Sequence, residues 1–557
     1  MARTTLARRT THLLRLAIAK EQGRLSWEQI TQILDPQWRL LARVSSNSRY
    51  FSRRGFLRGT GYGLVGASAL LSGCRTTGRD SSQIANSSSA SLGRIVIIGG
   101  GTAGLTAAYR LLQANVKTSI YEGSDRLGGR MYTQEKFNSD GMFCERGGEL
   151  VDSVHADLIA LCDELDLEIQ DLNENQGLVK DIFLFGGKVR DEKEIIAAFE
   201  PMAKRIVRDT EVLKLSDSVA VPTYRSRLSH DPKVIRLDHT TLAQYFASLD
   251  LDQWLKDLLS VTYLGMFGRD CDQQSALNFL TLFNPSSDDG LQIYGESDES
   301  KRIKGGSEQL PRALTKAIKD ATPIYTQHRL VAVRDKGSHF ALVFDQNGRT
   351  VEVQADRVIM ALPFSTLRLV DLKGLALSPA KQAAISEWGY GTSAKFMLGF
   401  KSRPWRTGPR KSSGSVYTDY VSQCFWETSG VQPGPSGIIT TYPSGRRGQI
   451  VSSGLQQEAL ADLDAIFPGT GQEFDGNKLL QHWASHPFTL GSHTCLLPGQ
   501  YTTMNGAAGE AELSGRILFA GEHCSNEYSG YMNGAVESGN KVARTIISGS
   551  QAATTQG

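Results

Sequence analysis

A glycine-rich turn follows the apolar run at residues 95–98 and has the pattern G-x-G-x-x-G from Gly99 to Gly104. In this spacing the first glycine permits a tight turn, the second lets backbone approach a pyrophosphate, and the third lets a helix pack on the strand. Glu122 ends the next apolar run, where a carboxylate accepts hydrogen bonds from a ribose diol. The pattern predicts a strand, a helix over Leu105–Gln113, a second strand and a bound dinucleotide.

Two further segments favour FAD over NAD as that dinucleotide. Gly128, Gly129 and Arg130 follow the second predicted strand and place bare backbone and a cation against the pyrophosphate. Near the other end of the chain, a strand runs to Gly521, and the turn at residues 529–532 opens a helix from about Asn533. The positive end of that helix, aimed at the flavin N1–C2=O, stabilises the negative charge of the reduced cofactor.

Together these motifs resemble those of the flavin amine oxidase family, which includes the monoamine, polyamine and L-amino-acid oxidases. The resemblance spans about residues 94–546 and is greatest to a bacterial branch of L-amino-acid oxidases and dehydrogenases. Four more segments carry it: "ERGGELVD" (145–152), "RIKGGSEQLPRAL" (302–314), "HRLVAV" (328–333) and "RVIMALPFSTLR" (357–368). It implies an α/β fold with a discontinuous Rossmann-type FAD-binding lobe and an α+β substrate-binding lobe.

The resemblance assigns a set of residues to the cofactor. They are Gly99, Gly101, Thr102, Ala103, Gly104, Glu122, Gly123, Arg130, Gly147, Gly148, Glu149, Val331, Gly521, Glu522, Tyr531 and Met532. Ser492 stands where monoamine oxidases carry the cysteine that bonds to the flavin, which implies non-covalent FAD. Cys495 lies close enough in sequence to remain a second candidate for a covalent link.

Three residues are the candidate catalytic groups. Lys395 resembles the family lysine that holds a water near flavin N5, and it lies on an apolar strand where an unpaired ammonium is costly. The alternative is a buried stem whose charged head reaches water. Tyr531 matches the family aromatic beside the flavin, and His493 stands where monoamine oxidases have the partner tyrosine. His493 is therefore a wall of an aromatic slot, a polar substrate contact or a loop histidine.

Glu149, Asp152 and Tyr531 are the candidate substrate contacts. A carboxylate facing the pocket favours a substrate with a distal cation, whereas the alternative for Glu149 and Asp152 is a surface position or a helix cap. No arginine lies at residues 147–165 to clamp an α-carboxylate, as in many L-amino-acid oxidases. Any clamp comes from elsewhere, or the substrate has no carboxylate.

The implied reaction is oxidative deamination of an L-amino acid, with a basic one such as arginine or lysine expected. Hydride transfer to the flavin leaves an imine that water hydrolyses to a 2-oxo acid and ammonia, and O₂ or a quinone-type acceptor reoxidises the flavin. The first alternative is a polyamine or monoamine oxidase. Others are a flavoprotein that desaturates a C–C bond and a non-catalytic flavoprotein, and Lys395 and Tyr531 argue against both.

The same motifs predict the domain organisation. Residues 94–152, 300–370 and 484–546 are expected to form the FAD-binding lobe, and residues 153–299 and 371–483 the substrate-binding lobe. A Ser-rich linker is predicted at 75–93 and a flexible tail at 547–557.

Residues 1–74 are predicted to be an export leader. They carry 12 Lys and Arg against 3 Asp and Glu, while the remainder carries 49 against 55, which does not indicate a nucleic-acid-binding domain. The stretch from Ser52 to Cys74 resembles a twin-arginine signal, with Arg53 and Arg54 before a weakly apolar region. It predicts contact with the twin-arginine export machinery, a periplasmic location and a candidate lipid anchor at Cys74. The roughly 50 residues before the paired arginines are unusually many, so this extension has its own role or the chain starts later.

The seven cysteines have no metal-ligand spacing and read as buried free thiols. We therefore predict no metal site.

Overall fold

The computed structural model describes residues 5–34, 92–172, 177–215, 218–282, 299–452 and 454–554. Most of the predicted leader and linker, including the twin arginines and Cys74, lies outside the described residues. The described part confirms a two-lobed α/β fold, in which the two largest of six sheets have five and seven strands.

The strands are defined in chain order. They are β1 Ile95–Ile98, β2 Thr118–Tyr121, β3 Thr133–Gln134, β4 Cys144–Glu145, β5 Ile169–Asp171, β6 Val179–Phe185, β7 Lys188–Arg190, β8 Lys214–Leu215, β9 Ser218–Val219, β10 Lys301–Ile303, β11 Ile324–Tyr325, β12 Arg329–Asp335, β13 Phe340–Gln346, β14 Arg349–Ala355, β15 Arg357–Met360, β16 Ala394–Phe400, β17 Ser412–Thr418, β18 Cys424–Glu427, β19 Gly437–Thr441, β20 Phe474–His482 and β21 Ile517–Phe519.

The helices are numbered in the same way. They are α1 Thr5–Glu21, α2 Trp27–Leu34, α3 Thr102–Gln113, α4 Ala156–Glu164, α5 Glu192–Glu211, α6 Pro232–His239, α7 Leu242–Ala247, α8 Gln253–Phe267, α9 Leu277–Leu280, α10 Gln309–Ile318, α11 Phe364–Leu367, α12 Pro379–Glu387, α13 Pro404–Thr407, α14 Gly445–Ile450, α15 Leu455–Ile466, α16 Gln500–Thr503 and α17 Met532–Thr554.

A five-stranded parallel sheet forms the centre of the FAD-binding lobe, with the order β11-β2-β1-β15-β21. All four residues of β1 are buried, as a strand covered on both faces requires. Helices α3 and α17 pack against each other beside this sheet. The predicted helix begins at Thr102 rather than Leu105, because Gly101 in extended conformation is its N-cap.

A seven-stranded mixed sheet forms the substrate-binding lobe, with the order β20-β16-β19-β18-β17-β6-β7. Every residue of β16, which carries Lys395, is buried. Its strands come from two distant chain segments, and β17 pairs in parallel with β6 to join them. The lobe is therefore complete only when both segments are folded.

The FAD-binding lobe continues past the predicted boundary at residue 152. Leu158 and Leu161 of α4 are fully buried in the same apolar cluster as α3 and α17. Strand β5 then pairs with β10, which follows the gap in the described chain. The predicted domain bounds therefore stay a prediction, with α4 packed in the apolar cluster of the FAD-binding lobe.

The N-terminal helix α1 packs into the core of the substrate-binding lobe, against α5 and α8. Leu13, Leu14 and Leu16 are fully buried there. Each buried leucine contributes about 1.5–3 kcal/mol relative to an exposed one. Residues 5–34 are thus part of the folded body, although the sequence analysis placed them within a leader over 1–74.

Polar contacts fix the position of α1 further. Lys20 pairs with Glu200 of α5, and Lys204 of α5 pairs with Glu21 at 2.8 Å. Arg15 Nη2 donates to the carbonyl of Leu282 at 2.8 Å. Among the described residues, no helix is both long and apolar enough to cross a membrane.

We predict that Leu16→Ala lowers the free energy of unfolding by about 2–5 kcal/mol, because it leaves a cavity beneath α1. Thermal and urea unfolding of the purified chain measures this. Thr31→Ala, at an exposed position of α2, is the matched control and is expected to change stability little. Equal stability of Leu16→Ala and wild type would mean that residues 5–34 are a dispensable leader.

Candidate active site

A cleft of about 310 Å³ opens at the carboxyl ends of β1, β2, β15 and β21. Ligands of open parallel sheets bind at this edge. Most of the residues assigned to the cofactor line this cleft, namely Gly99, Gly101, Thr102, Ala103, Glu122, Gly123, Arg130, Val331, Gly521, Glu522, Tyr531 and Met532. Gly104, Gly147, Gly148 and Glu149 are not among its lining residues.

Bare backbone forms the floor of the cleft. Gly99 has φ +107°, and a Cβ there would lie 2.5 Å from the carbonyl of Ala361. A Cβ on Gly101 would meet only Gly129, at 4.0 Å, so a side chain at Gly101 would project into the open cleft, whereas one at Gly99 would clash with the backbone. Gly104 serves packing instead, since its Cβ would lie 2.1 Å from the carbonyl of Gly99.

Glu122 is fixed in place by the two turns around it. One of its carboxylate oxygens accepts from the Gly100 N–H at 2.7 Å, and the other accepts from the Ser124 N–H and hydroxyl, each at 2.8 Å. These bonds hold an acceptor at the position that a ribose diol requires.

Arg130 and Glu522 form an ion pair at 3.0 Å that joins two distant segments of the lobe. Arg130 also donates to the carbonyl of Ser492, and Glu522 accepts from the Gly530 N–H at 2.7 Å. Burial would raise the pKa of Glu522, but Arg130, His523, His493 and a hydrogen bond from Thr494 together lower the pKa to about 2. The Arg130 charge is therefore matched by a protein carboxylate, while Arg130 also lines the cleft, and its assignment to the pyrophosphate stays a prediction.

Several lining residues were missed by the sequence analysis. His328, Pro363, Phe488 and His523 all line the cleft. A Cβ on Gly123 would lie 2.9 Å from the Phe488 ring, so this glycine admits the aromatic. The only sequence signal was that these residues sit within segments that carry the family resemblance, Phe488 in the stretch "WASHPFTLGSHT" (483–494) that also contains His493.

His523 provides a test of whether the cleft suits a polar cofactor. Its ring lies 4.5 Å from the Phe364 ring, and both ring nitrogens are buried without a hydrogen-bond partner among the described residues. Burial lowers the pKa of His523 to about 4, so the neutral ring offers one donor and one acceptor. Unsatisfied polar atoms beside a bare glycine cradle fit the hydroxyl and phosphate groups of FAD.

Lys395 forms a buried ion pair with Glu149. Its Nζ lies 2.6 Å from Glu149 Oε2 and donates to the carbonyl of Gly147 at 3.2 Å. Trp426 Nε1 donates to the same carboxylate oxygen at 3.2 Å. Lys395 is 2% exposed, so the alternative of a charged head in water is wrong. The charge of Glu149 is matched by Lys395, so its assignment to a substrate cation loses support and stays a prediction.

Tyr531 lines the cleft next to a histidine that the sequence analysis did not single out. His155 packs edge-on against Tyr531, with ring centroids 5.0 Å apart. His493 is buried near the turn before Tyr531, and its Nε2 bonds to the carbonyl of Met266 at 2.9 Å. Burial lowers the pKa of His493 to about 4. His493 does not line the cleft, so the structure gives no support to its assignment as the aromatic partner of Tyr531.

Asp152 is buried and bound within the protein. Its Oδ1 accepts from the Glu299 N–H at 2.6 Å, and its Oδ2 lies 3.2 Å from His155 Nε2, outside hydrogen-bond geometry. The N-cap of α4 is His155 without a side-chain capping bond, so Asp152 is not that cap. Neither a surface position nor a free pocket carboxylate describes it.

The cysteines near the site are unsuited to bonding a flavin. Cys495 is fully buried beside Asn278 and does not line the cleft, and burial raises its pKa to about 12. Cys524 is also buried, with its pKa raised to about 12 by burial. The six described cysteines are all free thiols.

A two-lobed α/β chain with a glycine cradle at the carboxyl edge of a parallel sheet, and a buried lysine at the lobe boundary, defines an FAD-dependent oxidoreductase. Residues 102–547 match the family of flavin-containing amine oxidoreductases, and the chain belongs to that family. It is an FAD-dependent enzyme acting on the CH–NH₂ group, as the motifs predicted.

The similar proteins include enzymes named for amino-acid substrates and an enzyme named for an amine substrate. The chain is 24% identical over 480 residues to an L-amino acid dehydrogenase of Synechocystis sp., covering 81% of this chain and 94% of that one. It is 23% identical over 472 residues to an L-amino-acid oxidase of Crotalus adamanteus, covering 81% and 86%. The structure of cyclohexylamine oxidase from Brevibacterium oxydans superposes with a TM-score of 0.68 at 21% identity, covering 82% and 99%.

We predict that Gly101→Ala leaves the fold intact but weakens FAD binding by a factor of roughly ten or more. Gly101 has φ −73° and room for a methyl group, so alanine strains no backbone there. The methyl group would instead occupy the part of the cleft where the pyrophosphate is expected to lie. Flavin absorbance of the dialysed protein measures occupancy, and thermal unfolding of the FAD-free chain measures the fold.

Gly549→Ala, in an open position of α17, is the matched control and should keep full occupancy. Tight FAD binding by Gly101→Ala would show that the dinucleotide lies elsewhere.

Proposed function

We propose that this enzyme catalyses the oxidative deamination of an L-amino acid. The observation that carries the proposal is the buried Lys395–Glu149 pair beside the FAD cleft, at the boundary of the two lobes. The names of the relatives from Synechocystis and Crotalus support an amino acid as the substrate class. The products are a 2-oxo acid, ammonia and, where O₂ reoxidises the flavin, hydrogen peroxide.

The protein's own residues position the substrate and exclude water from it. When bound, the flavin accepts the hydride equivalent from the substrate α-carbon. Tyr531 offers an aromatic face to orient the amine, and His155 supports that ring from behind. The closely packed lobe boundary around Lys395 excludes bulk water from the reacting carbon.

A substrate with a basic side chain is still expected, but the two carboxylates that favoured it, Glu149 and Asp152, give it less support. Glu149 is matched by Lys395, and Asp152 is bound to the Glu299 N–H and lies beside His155. A distal substrate cation would need an acceptor other than these two carboxylates. The substrate panel below therefore includes both basic and neutral side chains.

The second candidate function is oxidation of an amine that lacks a carboxylate. The absence of any arginine at residues 147–165 favours it. The guanidinium of Arg130 is paired with Glu522, so it is not a ready clamp either. Polyamines and monoamines are the substrates of this alternative.

We predict that L-amino acids, and not their decarboxylated partners, reduce the flavin of the full-length, FAD-loaded chain. L-arginine is compared with agmatine and L-lysine with cadaverine, alongside spermidine and L-phenylalanine. Anaerobic loss of flavin absorbance reports reduction, and peroxide release in air reports the oxidase reaction. The members of each pair differ only in the α-carboxylate, so side-chain binding is controlled.

Each result has a distinct meaning. Reduction by agmatine, cadaverine or spermidine would replace the proposal with the amine oxidase alternative. Reduction without peroxide would identify a dehydrogenase that passes electrons to a quinone-type acceptor. Failure of every substrate would contradict the proposal.

We propose, in addition, that the folded chain is exported through the twin-arginine pathway, with a candidate lipid anchor at Cys74. Arg53 and Arg54 ahead of the weakly apolar stretch that ends at Cys74 support this proposal. We predict that the Arg53→Lys/Arg54→Lys double variant is retained in the cytoplasm, while Arg58→Lys, outside the pair, is exported normally. Cell fractionation measures this, and equal distribution of both variants would contradict the signal.

A further inference from the structure

Helix α1 is enclosed by the protein on all sides along its second half. At residues 13–19 every position except Arg15 is buried. These consecutive positions point in every direction around the helix axis. A helix that lies on a surface buries one face, whereas a helix that is apolar all round belongs inside a core. The surroundings of α1 are therefore those of an internal helix, although α1 stands near the start of the chain.

Helices α5 and α8 supply most of the surface that encloses α1. Phe199, Met202 and Ile206 follow each other on one face of α5 and are buried in the same apolar cluster as α1. Leu258 and Leu259 of α8 are fully buried in that cluster as well. Without α1 part of this apolar surface would face water, at a free-energy cost proportional to its area. The two helices therefore form a binding site for α1.

The ion pairs of α1 lie at the rim of this binding site. Lys20 pairs with Glu200, and Lys204 pairs with Glu21, and all four side chains are partly exposed. The Lys204 side chain is 81% exposed, and exposed pairs of this kind contribute little to stability. Apolar burial therefore provides most of the binding free energy of α1.

Residues 5–34, here called the N-terminal helix pair, contain the bonds that shape their own turn. The Arg24 N–H donates to the carbonyl of Ala19 at 2.9 Å at the end of α1. The Ser26 N–H donates to Gln29 Oε1 at 2.8 Å, and the Gln29 N–H donates to the Ser26 hydroxyl at 3.2 Å. This reciprocal capping box fixes the start of α2. The turn and the start of α2 are thus held by residues of the helix pair itself.

The N-terminal helix pair and the next described residue pack in different parts of the fold. Helix α1 belongs to one apolar cluster with α5 and α8, whereas Leu92 is buried in a second cluster with α3 and α17. The family match covers residues 102–547, so it contains α5 and α8 but not the helix pair. The helix pair is therefore an additional element that occupies a binding site on the matched part of the chain.

We infer that the N-terminal helix pair is a separable segment that binds the rest of the protein, from residue 92 onward, through these contacts alone. A cut between residues 34 and 92 therefore leaves two chains that stay together as one folded enzyme. Removal of the predicted leader before Cys74 would make such a cut, and this consequence rests on the export proposal. The binding itself does not, because α1 occupies its site in the uncut chain.

A site-specific protease tests this inference on the full-length, FAD-loaded chain. Its recognition sequence is inserted within the predicted linker at residues 75–93, and the cut protein is passed over a size-exclusion column. We expect the N-terminal piece to elute with the body of the protein, with a dissociation constant of about 1 μM or below. The flavin absorbance of that complex should equal that of the uncut chain. The same result is expected in about 1 M NaCl, because salt screens the exposed ion pairs and not the apolar burial.

Two variants of the cut chain separate apolar burial from a nonspecific association. Leu16→Asp should weaken the binding of the N-terminal piece roughly a hundredfold or more, because it places a charge at a fully buried position. Thr31→Asp adds the same charge at an exposed position of α2 and is the matched control. Its N-terminal piece should bind as tightly as that of the wild type.

Three results for the cut wild-type chain would overturn the inference. The first is release of the N-terminal piece from a body that keeps its flavin. The second is aggregation with loss of flavin, which would mean that the covalent connection is required. The third is a dimer of the uncut chain that becomes a monomer on cutting, measured by light scattering, which would place the helix pair on a second copy.

The wild-type result stands even where Leu16→Asp fails to fold. No amine substrate enters the experiment, so its outcome is independent of the proposed function. The cut is made by the added protease, so the outcome is independent of export as well.

Discussion

The buried Lys395–Glu149 ion pair is the interaction on which the arrangement of the two lobes depends. Lys395 belongs to a fully buried strand of the substrate-binding lobe, and Glu149 follows the glycines that border the cofactor cleft. Removing one partner of a buried pair leaves an uncompensated charge, which costs about 3–5 kcal/mol. The pair therefore fixes the position of one lobe relative to the other, so that the substrate-binding lobe borders the cofactor cleft.

A second ion pair, between Arg130 and Glu522, links distant chain segments within the FAD-binding lobe. It joins the turn after the second strand to the turn before α17, nearly 400 residues later in the chain. Glu522 also holds the Gly530 N–H, so the same carboxylate sets the entry to the last helix. A lobe assembled from separate chain segments needs such links, because neighbouring strands of its sheet are distant in sequence.

The N-terminal helices change how the start of the chain is understood. A basic stretch ahead of paired arginines suggests a leader, and composition alone does not separate a leader from an amphipathic helix. The apolar side of α1 completes the core around α5 and α8. The extension ahead of the twin arginines therefore has a structural role in the described fold.

The sequence by itself determined the cofactor lobe, because its requirements are local. A turn that admits a pyrophosphate needs glycines at fixed spacing, and Gly99, Gly101, Glu122 and the turn before α17 all reach one cleft. Only the tertiary structure decided which charges are matched. Lys395 and Glu149 are 246 residues apart, and no local pattern pairs them. Whether a buried charge binds a substrate or a partner depends on which side chains the fold brings within about 3 Å of it.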